Sequence, residues 1–240
     1  MSRKSSRNRP AMTPDSATPD AGDPSERKGW LVAAVVVGVA LVAFAVLMWP
    51  KGSSPTAPES SASRAAALAS VDAPTLGPAG ARVHIVEFLD PACETCAQFY
   101  PMVKRWLEEH PADIRLSLRH VAFHEGAEYA VRVLEASRKQ DRYWQTLEAL
   151  LASQAAWAPH HTVQPDLVLQ AIAPVGLDLT RLQSDMALPE ITQRIAQDRA
   201  DAMTLKVTAT PEYFVNGRPL PSFGAAELQA LVSEELQKSP

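Results

Sequence analysis

Two cysteines three positions apart, Cys93 and Cys96, are the only ones in this 240-residue chain. They follow a run of β-branched and aromatic residues at 83–89, which is typical of a strand covered on both faces. They precede a segment in which Phe99 and Val103 are spaced as on one face of a helix. The sequence therefore places both thiols at a strand-to-helix junction. It excludes a disulfide-rich scaffold and a four-thiolate metal site.

The remaining pattern predicts one α/β domain over residues 81–240. Alternating apolar residues from Ile114 onward indicate a second strand, which completes a β-α-β unit. From about 125 to 206 the pattern is helical only, which indicates an insertion. Asn216-Gly217 between two short apolar runs then predicts a β-hairpin, because both central residues of a type I′ turn need a positive φ. A final amphipathic helix follows.

The two thiols are expected to have different roles. At a helix N-terminus, unpaired backbone N–H groups and the helix dipole favour a thiolate, so Cys93 is the predicted nucleophile. Cys96, one turn further on, is the predicted resolving thiol that closes or opens the disulfide.

Two other uses of the cysteines stay open. A Cys₂His₂ zinc site with His120 and His124 is one, although 23 residues separate Cys96 from His120 where about 12–15 are usual. A permanent structural disulfide is the other, and it would close a very small loop that stabilises the chain little. We expect redox exchange without a metal or organic cofactor.

Several motifs occur in order along residues 82–240. They are Ile85-Val86-Glu87-Phe88, Cys93-Glu94-Thr95-Cys96 followed by Pro101, the helical insertion, Thr208-Ala209-Thr210-Pro211, and Phe214-Val215-Asn216-Gly217. Together they resemble the DsbA-like branch of the thioredoxin-fold thiol:disulfide oxidoreductases. The resemblance implies a thioredoxin-like fold with a helical insertion between the β-α-β unit and the C-terminal hairpin and helix.

The resemblance also implies roles for particular residues. Pro211 matches the family's cis-proline, which faces the cysteine pair, and Thr210 and Pro211 are expected to receive an extended substrate chain. Glu87 matches a buried acid that takes and returns the proton of the resolving thiol Cys96. A carboxylate inside an apolar strand should have a raised pKa or a partner. The alternative is a Glu87 side chain at a strand edge that faces water.

The residues between the cysteines depart from the family's strong oxidants, which often carry Pro-His there. Glu94 and Thr95 are the predicted redox-tuning residues. An acid beside Cys93 should disfavour its thiolate and make the disulfide less oxidising. The direction of exchange (oxidation, reduction or isomerisation) is therefore not readable from the sequence.

An uncharged run of 20 residues at 30–49 matches the apolar thickness of a bilayer as a helix. Six Lys/Arg precede it at 1–29 and Lys51 alone follows it closely. The positive-inside rule predicts a single-pass transmembrane helix with a disordered cytoplasmic tail at 1–29 and an extracytoplasmic domain. A signal peptide cleaved near Ser61-Ala62-Ser63 is the alternative.

The segment 50–80 is rich in small residues, since 24 of its 31 residues are Ala, Ser, Pro, Gly or Thr. Such a composition predicts a flexible linker. Residues 50–240 hold 17 Lys/Arg against 23 Asp/Glu, which argues against nucleic acid as a partner.

The main hypothesis is a periplasmic or extracytoplasmic oxidoreductase anchored in the inner membrane through residues 30–49. Its expected partners are exported proteins with thiols or disulfides and a membrane redox protein that recycles the cysteine pair. The alternatives are a tethered chaperone or assembly factor with a secondary redox role, and a zinc-binding domain.

Overall fold

The computed structural model of the protein describes residues 61–69 and 72–238. The predicted tail at 1–29 and the predicted transmembrane helix at 30–49 lie outside these residues. Within the described part, no helix combines the length and the apolar character that crossing a bilayer requires.

A five-stranded mixed sheet lies at the centre of the domain, in the order β1-β3-β2-β4-β5. Its strands are Thr75–Leu76 (β1), Val83–Leu89 (β2), Ile114–His120 (β3), Glu212–Val215 (β4) and Arg218–Pro219 (β5). β2 pairs in parallel with β3 and antiparallel with β4. Asn216 and Gly217 join β4 to β5 with φ values of 48° and 80°, so the predicted hairpin is present.

The α-helices flank this sheet. They are Ser61–Leu68 (α1), Glu94–Glu109 (α2), Ala127–Ser137 (α3), Tyr143–Ala152 (α4), Gln154–Trp157 (α5), Pro165–Ala171 (α6), Leu179–Met186 (α7), Pro189–Leu205 (α8) and Ala225–Gln237 (α9). α2 connects β2 to β3, and α3 to α8 form the insertion between β3 and β4. The α/β fold with a helical insertion is confirmed.

The two faces of β2 are covered by different parts of the core. Ile85 and Leu89 pack with residues of α2, α9 and much of the insertion. Val86 and Phe88 point the other way and pack with residues of α1, β4 and the C-terminal end of α8. Because side chains alternate along a strand, Glu87 lies on the same face as Ile85 and Leu89. The strand register thus turns the acid toward the helix that carries the cysteines.

Part of the segment expected to be a flexible linker, 50–80, belongs to the folded domain. Ser61–Leu68 is helical, and Ala67 is buried against the sheet. Thr75 pairs with Ser117 of β3. Alanine has the highest helix propensity, and the Arg119 side chain binds the carbonyl of Ala67 at 2.8 Å. Contacts with the domain therefore order a sequence whose composition alone suggests disorder.

A buried arginine holds this face of the domain together. Arg119 is fully buried, and its Nε donates to Asp198 Oδ1 of α8 at 2.6 Å. It also binds Asp201, and its guanidinium carbon lies 5.4 Å from the centre of the Phe88 ring. Asp198 accepts a second hydrogen bond, from the backbone N–H of His120 at 2.8 Å. The guanidinium charge of Arg119 is thus paired with the carboxylates of Asp198 and Asp201 in α8, and the carbonyl of Ala67 in α1 accepts a further hydrogen bond from it.

Candidate active site

The loop after β2 positions the first cysteine. The N–H of Cys93 donates to the carbonyl of Asp90 at 3.0 Å, and the N–H of Ala92 donates to Asp90 Oδ1 at 2.8 Å. Cys93 is the N-cap residue of α2, and Cys96 lies in its first turn. Both cysteines are free thiols, with Cys93 6% exposed and Cys96 0% exposed. The structure is therefore that of the reduced pair.

Hydrogen bonds to the sulfur of Cys93 stabilise its thiolate. They lower the pKa of Cys93 from its ordinary 9.0 to about 5, chiefly through the Cys96 thiol, against the opposing effect of burial. The Thr210 side chain and the backbone N–H groups of Cys96 and Thr95 contribute as well. As a thiol, Cys93 donates to the carbonyl of Thr210 at 3.2 Å. This arrangement fits the helix N-terminus expected to activate Cys93.

The second thiol has the opposite tendency. Burial raises the pKa of Cys96 far above its ordinary value, and its hydrogen bond to Cys93 and the charge of Glu87 add to the rise. At neutral pH the pair therefore holds one thiolate, on Cys93, and one protonated thiol, on Cys96. Two thiols one helical turn apart thus differ strongly in acidity.

Glu87 is completely buried beside this pair. Desolvation raises the pKa of Glu87 to about 8, a hydrogen bond from Tyr213 opposes the rise, and the charge of Cys93 adds to it. The Tyr213 hydroxyl donates to Glu87 Oε1 at 3.1 Å. The acid is thus inside the protein, not at a wet strand edge. Sequence reasoning missed Tyr213, which faces Glu87 only because β2 and β4 pair in this register.

The other predicted site residues surround Cys93. The Thr210–Pro211 peptide is cis, and the Thr210 carbonyl contacts the Cys93 sulfur. Glu94 is exposed, and the backbone N–H of Thr95 hydrogen-bonds the Cys93 sulfur and lowers its pKa. The tuning roles of Glu94 and Thr95 stay predictions.

The histidines of the zinc alternative have hydrogen-bond partners other than the cysteines. His120 is buried and its Nε2 lies 2.6 Å from the Tyr143 hydroxyl. His124 Nδ1 lies 2.8 Å from the carboxylate of Asp90. In residues 61–69 and 72–238, no group of three or more His, Cys, Asp or Glu side chains is arranged to hold a metal ion.

An exposed aromatic side chain packs on the helix that carries the cysteines. The ring of Phe99, in α2, stacks on Phe223 with centroids 5.0 Å apart and on Tyr213 with centroids 6.2 Å apart. Phe223 is 55% exposed. An aromatic side chain thus remains open to solvent next to the α2 face.

A thiolate-stabilising helix N-terminus, a buried second thiol and a buried acid on this sheet define a thioredoxin-fold protein of the thiol:disulfide oxidoreductase class. The chain belongs to the thioredoxin family, because residues 69–234 match the sequence model of a family described as "Thioredoxin". The predicted family resemblance and enzyme class are confirmed.

Solved structures share the fold. A thioredoxin-like oxidoreductase from Silicibacter pomeroyi is 31% identical, with a TM-score of 0.60 over 70% of this chain and 94% of that one. BdbD from Bacillus subtilis is 23% identical, with a TM-score of 0.61 over 69% and 94% of the two chains. The thiol-disulfide exchange protein alpha-DsbA2 from Wolbachia pipientis is 18% identical, with a TM-score of 0.63 over 74% and 93%.

Curated relatives by sequence include Na⁺/H⁺ antiporters. NhaA of Herminiimonas arsenicoxydans is 29% identical over 144 residues, which are 60% of this chain and 22% of the antiporter. NhaA 3 of Salinispora tropica is 31% identical over 170 residues, 67% of this chain and 25% of the antiporter. The chain thus spans about a quarter of the length of these relatives.

Proposed function

We propose that the protein is a membrane-tethered, extracytoplasmic thiol:disulfide oxidoreductase that exchanges disulfides with exported proteins through Cys93 and Cys96. The observation that carries the proposal is the placement of the pair, with Cys93 as the N-cap of α2 against the carbonyl of Thr210 and Cys96 fully buried one turn further on. This placement lowers the pKa of Cys93 and raises that of Cys96. A low pKa makes Cys93 the better leaving group and the thiolate available at neutral pH.

In the oxidising direction, a substrate thiolate attacks Cys93 Sγ of the Cys93–Cys96 disulfide. The Cys93–Cys96 bond breaks, a mixed disulfide forms on Cys93, and Cys96 leaves as a thiolate. Glu87, protonated below a pKa of about 8, gives its proton to Cys96, whose own pKa is strongly raised. A second substrate thiolate then attacks the substrate sulfur and releases Cys93 as a thiolate. Two electrons pass from the substrate dithiol to the cysteine pair, and reduction is the reverse sequence.

The Thr210–Pro211 loop is the proposed substrate-binding element. Its carbonyl at Thr210 already contacts the Cys93 sulfur at 3.2 Å, so a chain bound along this loop would have its own sulfur next to Cys93. The exposed Phe223 beside α2 offers apolar contact to unfolded chains. A substrate held along this loop through backbone hydrogen bonds would not be selected by its sequence, which suits exchange with many exported proteins.

Residues 30–49 are proposed to anchor the domain in the inner membrane, with residues 1–29 in the cytoplasm. The support is the uncharged 20-residue run and the excess of Lys/Arg before it, which the positive-inside rule interprets as cytoplasmic. Disulfide exchange of exported proteins takes place outside the cytoplasm. A membrane redox protein would return the cysteine pair to its starting state.

Trapping of mixed disulfides tests the exchange reaction in the full-length protein. A Cys96→Ser variant lacks the resolving thiol and should accumulate mixed disulfides with exported proteins. The matched Cys93→Ser variant should accumulate none. Trapping by Cys93→Ser alone would reverse the assignment, and a Cys93→Ala/Cys96→Ala variant that kept the cellular role would favour a chaperone.

Labelling of Cys93 in intact cells tests the topology. Cys96→Ser protein that is not held in a mixed disulfide has one thiol, Cys93, so a membrane-impermeant maleimide reports on the compartment of the domain. Labelling without lysis supports an extracytoplasmic domain, and labelling only after lysis contradicts it.

The reduction potential of the Cys93–Cys96 pair tells whether the protein oxidises or reduces its substrates, with about −270 mV for thioredoxin and about −120 mV for DsbA as reference points.

A further inference from the structure

Three successive carbonyls of the cysteine loop accept hydrogen bonds from side chains of the helical insertion. The Nε2 of Gln154, in α5, lies 2.6 Å from the carbonyl of Pro91 and 3.0 Å from that of Cys93. His161 Nδ1 lies 3.3 Å from the carbonyl of Ala92. Because a carbonyl can only accept, the His161 Nδ1 carries the proton. Gln154 is 6% exposed, so its amide has little access to water as an alternative partner.

The segment that carries His161 has an unusual backbone. His160 and His161 have φ values of 52° and 62°, in the left-handed region that non-glycine residues rarely occupy. Such residues persist only where surrounding contacts hold them, and they cluster at functional sites. For His161 that contact is with the carbonyl of Ala92 in the cysteine loop.

A second histidine fixes the ring of His161. The rings of His124 and His161 stack with centroids 4.8 Å apart and an angle of 23°. His124 donates through Nδ1 to Asp90 Oδ2 at 2.8 Å, and Asp90 is fully buried. The other carboxylate oxygen of Asp90 accepts the N–H of Ala92 at 2.8 Å. The residue before Cys93 is therefore held on both its N–H and its carbonyl side.

We infer that Gln154 and His161 are positioning residues, which hold the Pro91–Cys93 backbone so that the Cys93 sulfur stays against the N-terminus of α2. The inference deepens the proposed function, since it assigns to the insertion a share in the reactivity of Cys93. The backbone N–H groups of Thr95 and Cys96 hydrogen-bond the Cys93 sulfur, and the inferred role of Gln154 and His161 is to keep the sulfur in reach of them.

Titration of the Cys93 thiolate by its ultraviolet absorbance, in the reduced full-length protein, tests the inference. Gln154→Leu removes the donor to the Pro91 and Cys93 carbonyls with little change in size. If the released loop moves the sulfur away from one of its backbone N–H donors, the Cys93 pKa should rise by about one unit, the value of one hydrogen bond to the thiolate. His161→Leu should raise it less. His161→Asn should restore the wild-type pKa, because the Asn amide can donate from nearly the position of Nδ1.

Gln140→Leu is the matched control. Gln140 also lies in the insertion and also donates to a backbone carbonyl, that of Asp178 at 3.1 Å, away from the cysteines. Its loss should leave the Cys93 pKa unchanged. The rate of Cys93 alkylation at a fixed pH below neutrality should fall in parallel with the thiolate fraction in Gln154→Leu and not in Gln140→Leu.

Wild-type Cys93 pKa values in Gln154→Leu and His161→Leu would overturn the inference, as would equal values for His161→Asn and His161→Leu. If Gln154→Leu does not fold, the two His161 variants decide the matter, since that side chain is only half-buried. Failure of the proposed function looks different. In that case Cys96→Ser traps no exported protein while the pKa shifts still occur.

Discussion

The hydroxyl of Tyr213 lies 3.1 Å from Glu87 Oε1 and donates a hydrogen bond to it, directly across the β2–β4 pair. Both side chains are fully buried, and Glu87 Oε2 has no hydrogen-bond partner within the described residues. A carboxylate supported at one oxygen only is poorly compensated for the loss of water. The pKa of Glu87 is therefore raised to about 8, which suits a group that exchanges protons near neutral pH.

Glu87→Gln should change how stability depends on pH. The pKa of Glu87 is about 8 in the folded protein against an ordinary 4.5, so the folded state binds the extra proton between these values. Its contribution to stability is complete below about pH 4.5 and is lost as the pH rises through 8. The Gln variant has no proton to lose at this position. Between pH 5 and pH 8 its free energy of unfolding should therefore rise relative to that of wild type by on the order of 3 kcal/mol.

Urea titrations of the reduced proteins at both pH values measure this difference. Parallel pH dependences of wild type and Glu87→Gln would show that Glu87 is ionised in the folded state.

The same variant should slow disulfide exchange while remaining folded, because the Cys96 sulfur loses its proton donor. Unchanged exchange kinetics would remove that role.

Tyr213→Phe should raise the pKa of Glu87 further. The hydrogen bond from Tyr213 lowers the pKa of Glu87, and its removal should shift that pKa upward by about one unit. Infrared titration of the buried carboxyl group measures the shift. Tyr129→Phe, in α3, is the control and should leave the Glu87 pKa unaltered. A downward shift in Tyr213→Phe would mean that the phenol does not support the carboxylate.

Asp198→Ala should destabilise the domain by about 3 kcal/mol, because it leaves a buried guanidinium partly unpaired. Asp198 accepts from Arg119 Nε at 2.6 Å and from the N–H of His120 at 2.8 Å. Asp166→Ala, at an exposed position in the first turn of α6, should cost less than about 1 kcal/mol. Urea unfolding at neutral pH compares the two. Equal costs would indicate that the Arg119 charge is compensated elsewhere.

Gly77→Ala tests whether residues 72–80 belong to the folded domain. Gly77 has a φ of 86°, and an added Cβ would lie 2.2 Å from the carbonyl oxygen of Ile114. We expect a loss of about 2 kcal/mol or more in unfolding free energy. At Gly80 an added Cβ meets nothing within 4 Å, so Gly80→Ala should be near neutral. A near-neutral Gly77→Ala would mean that this segment is a linker after all.

The sequence predicted the fold well where the signal is local. The apolar strand before Cys93, the amphipathic helix after Cys96 and the Asn216-Gly217 turn each specify their own element, and their order predicts the architecture. The burial of Glu87 could be argued too, because its neighbours in the strand are apolar. These inferences need no knowledge of which distant residues meet.

Contacts between distant segments could not be read from the sequence. Tyr213 meets Glu87 across 126 positions through strand register, and Gln154 reaches the Cys93 carbonyl across 61. The partner of His161, the carbonyl of Ala92, is set by the packing of the insertion on the cysteine loop. Ser61–Leu68 is helical because the Ala-rich chain docks on the sheet, a tertiary effect that composition does not show.

The pH dependence of Cys93 alkylation tests the central claim most directly. Reduced full-length protein is treated with limiting iodoacetamide across a pH series, and the modified cysteine is identified by mass spectrometry. We predict modification of Cys93 alone, with a rate that rises through a midpoint at a pKa of about 5. Modification of Cys96 first, or a midpoint near the ordinary thiol value of 9.0, would contradict the assignment of Cys93 as the reactive thiolate.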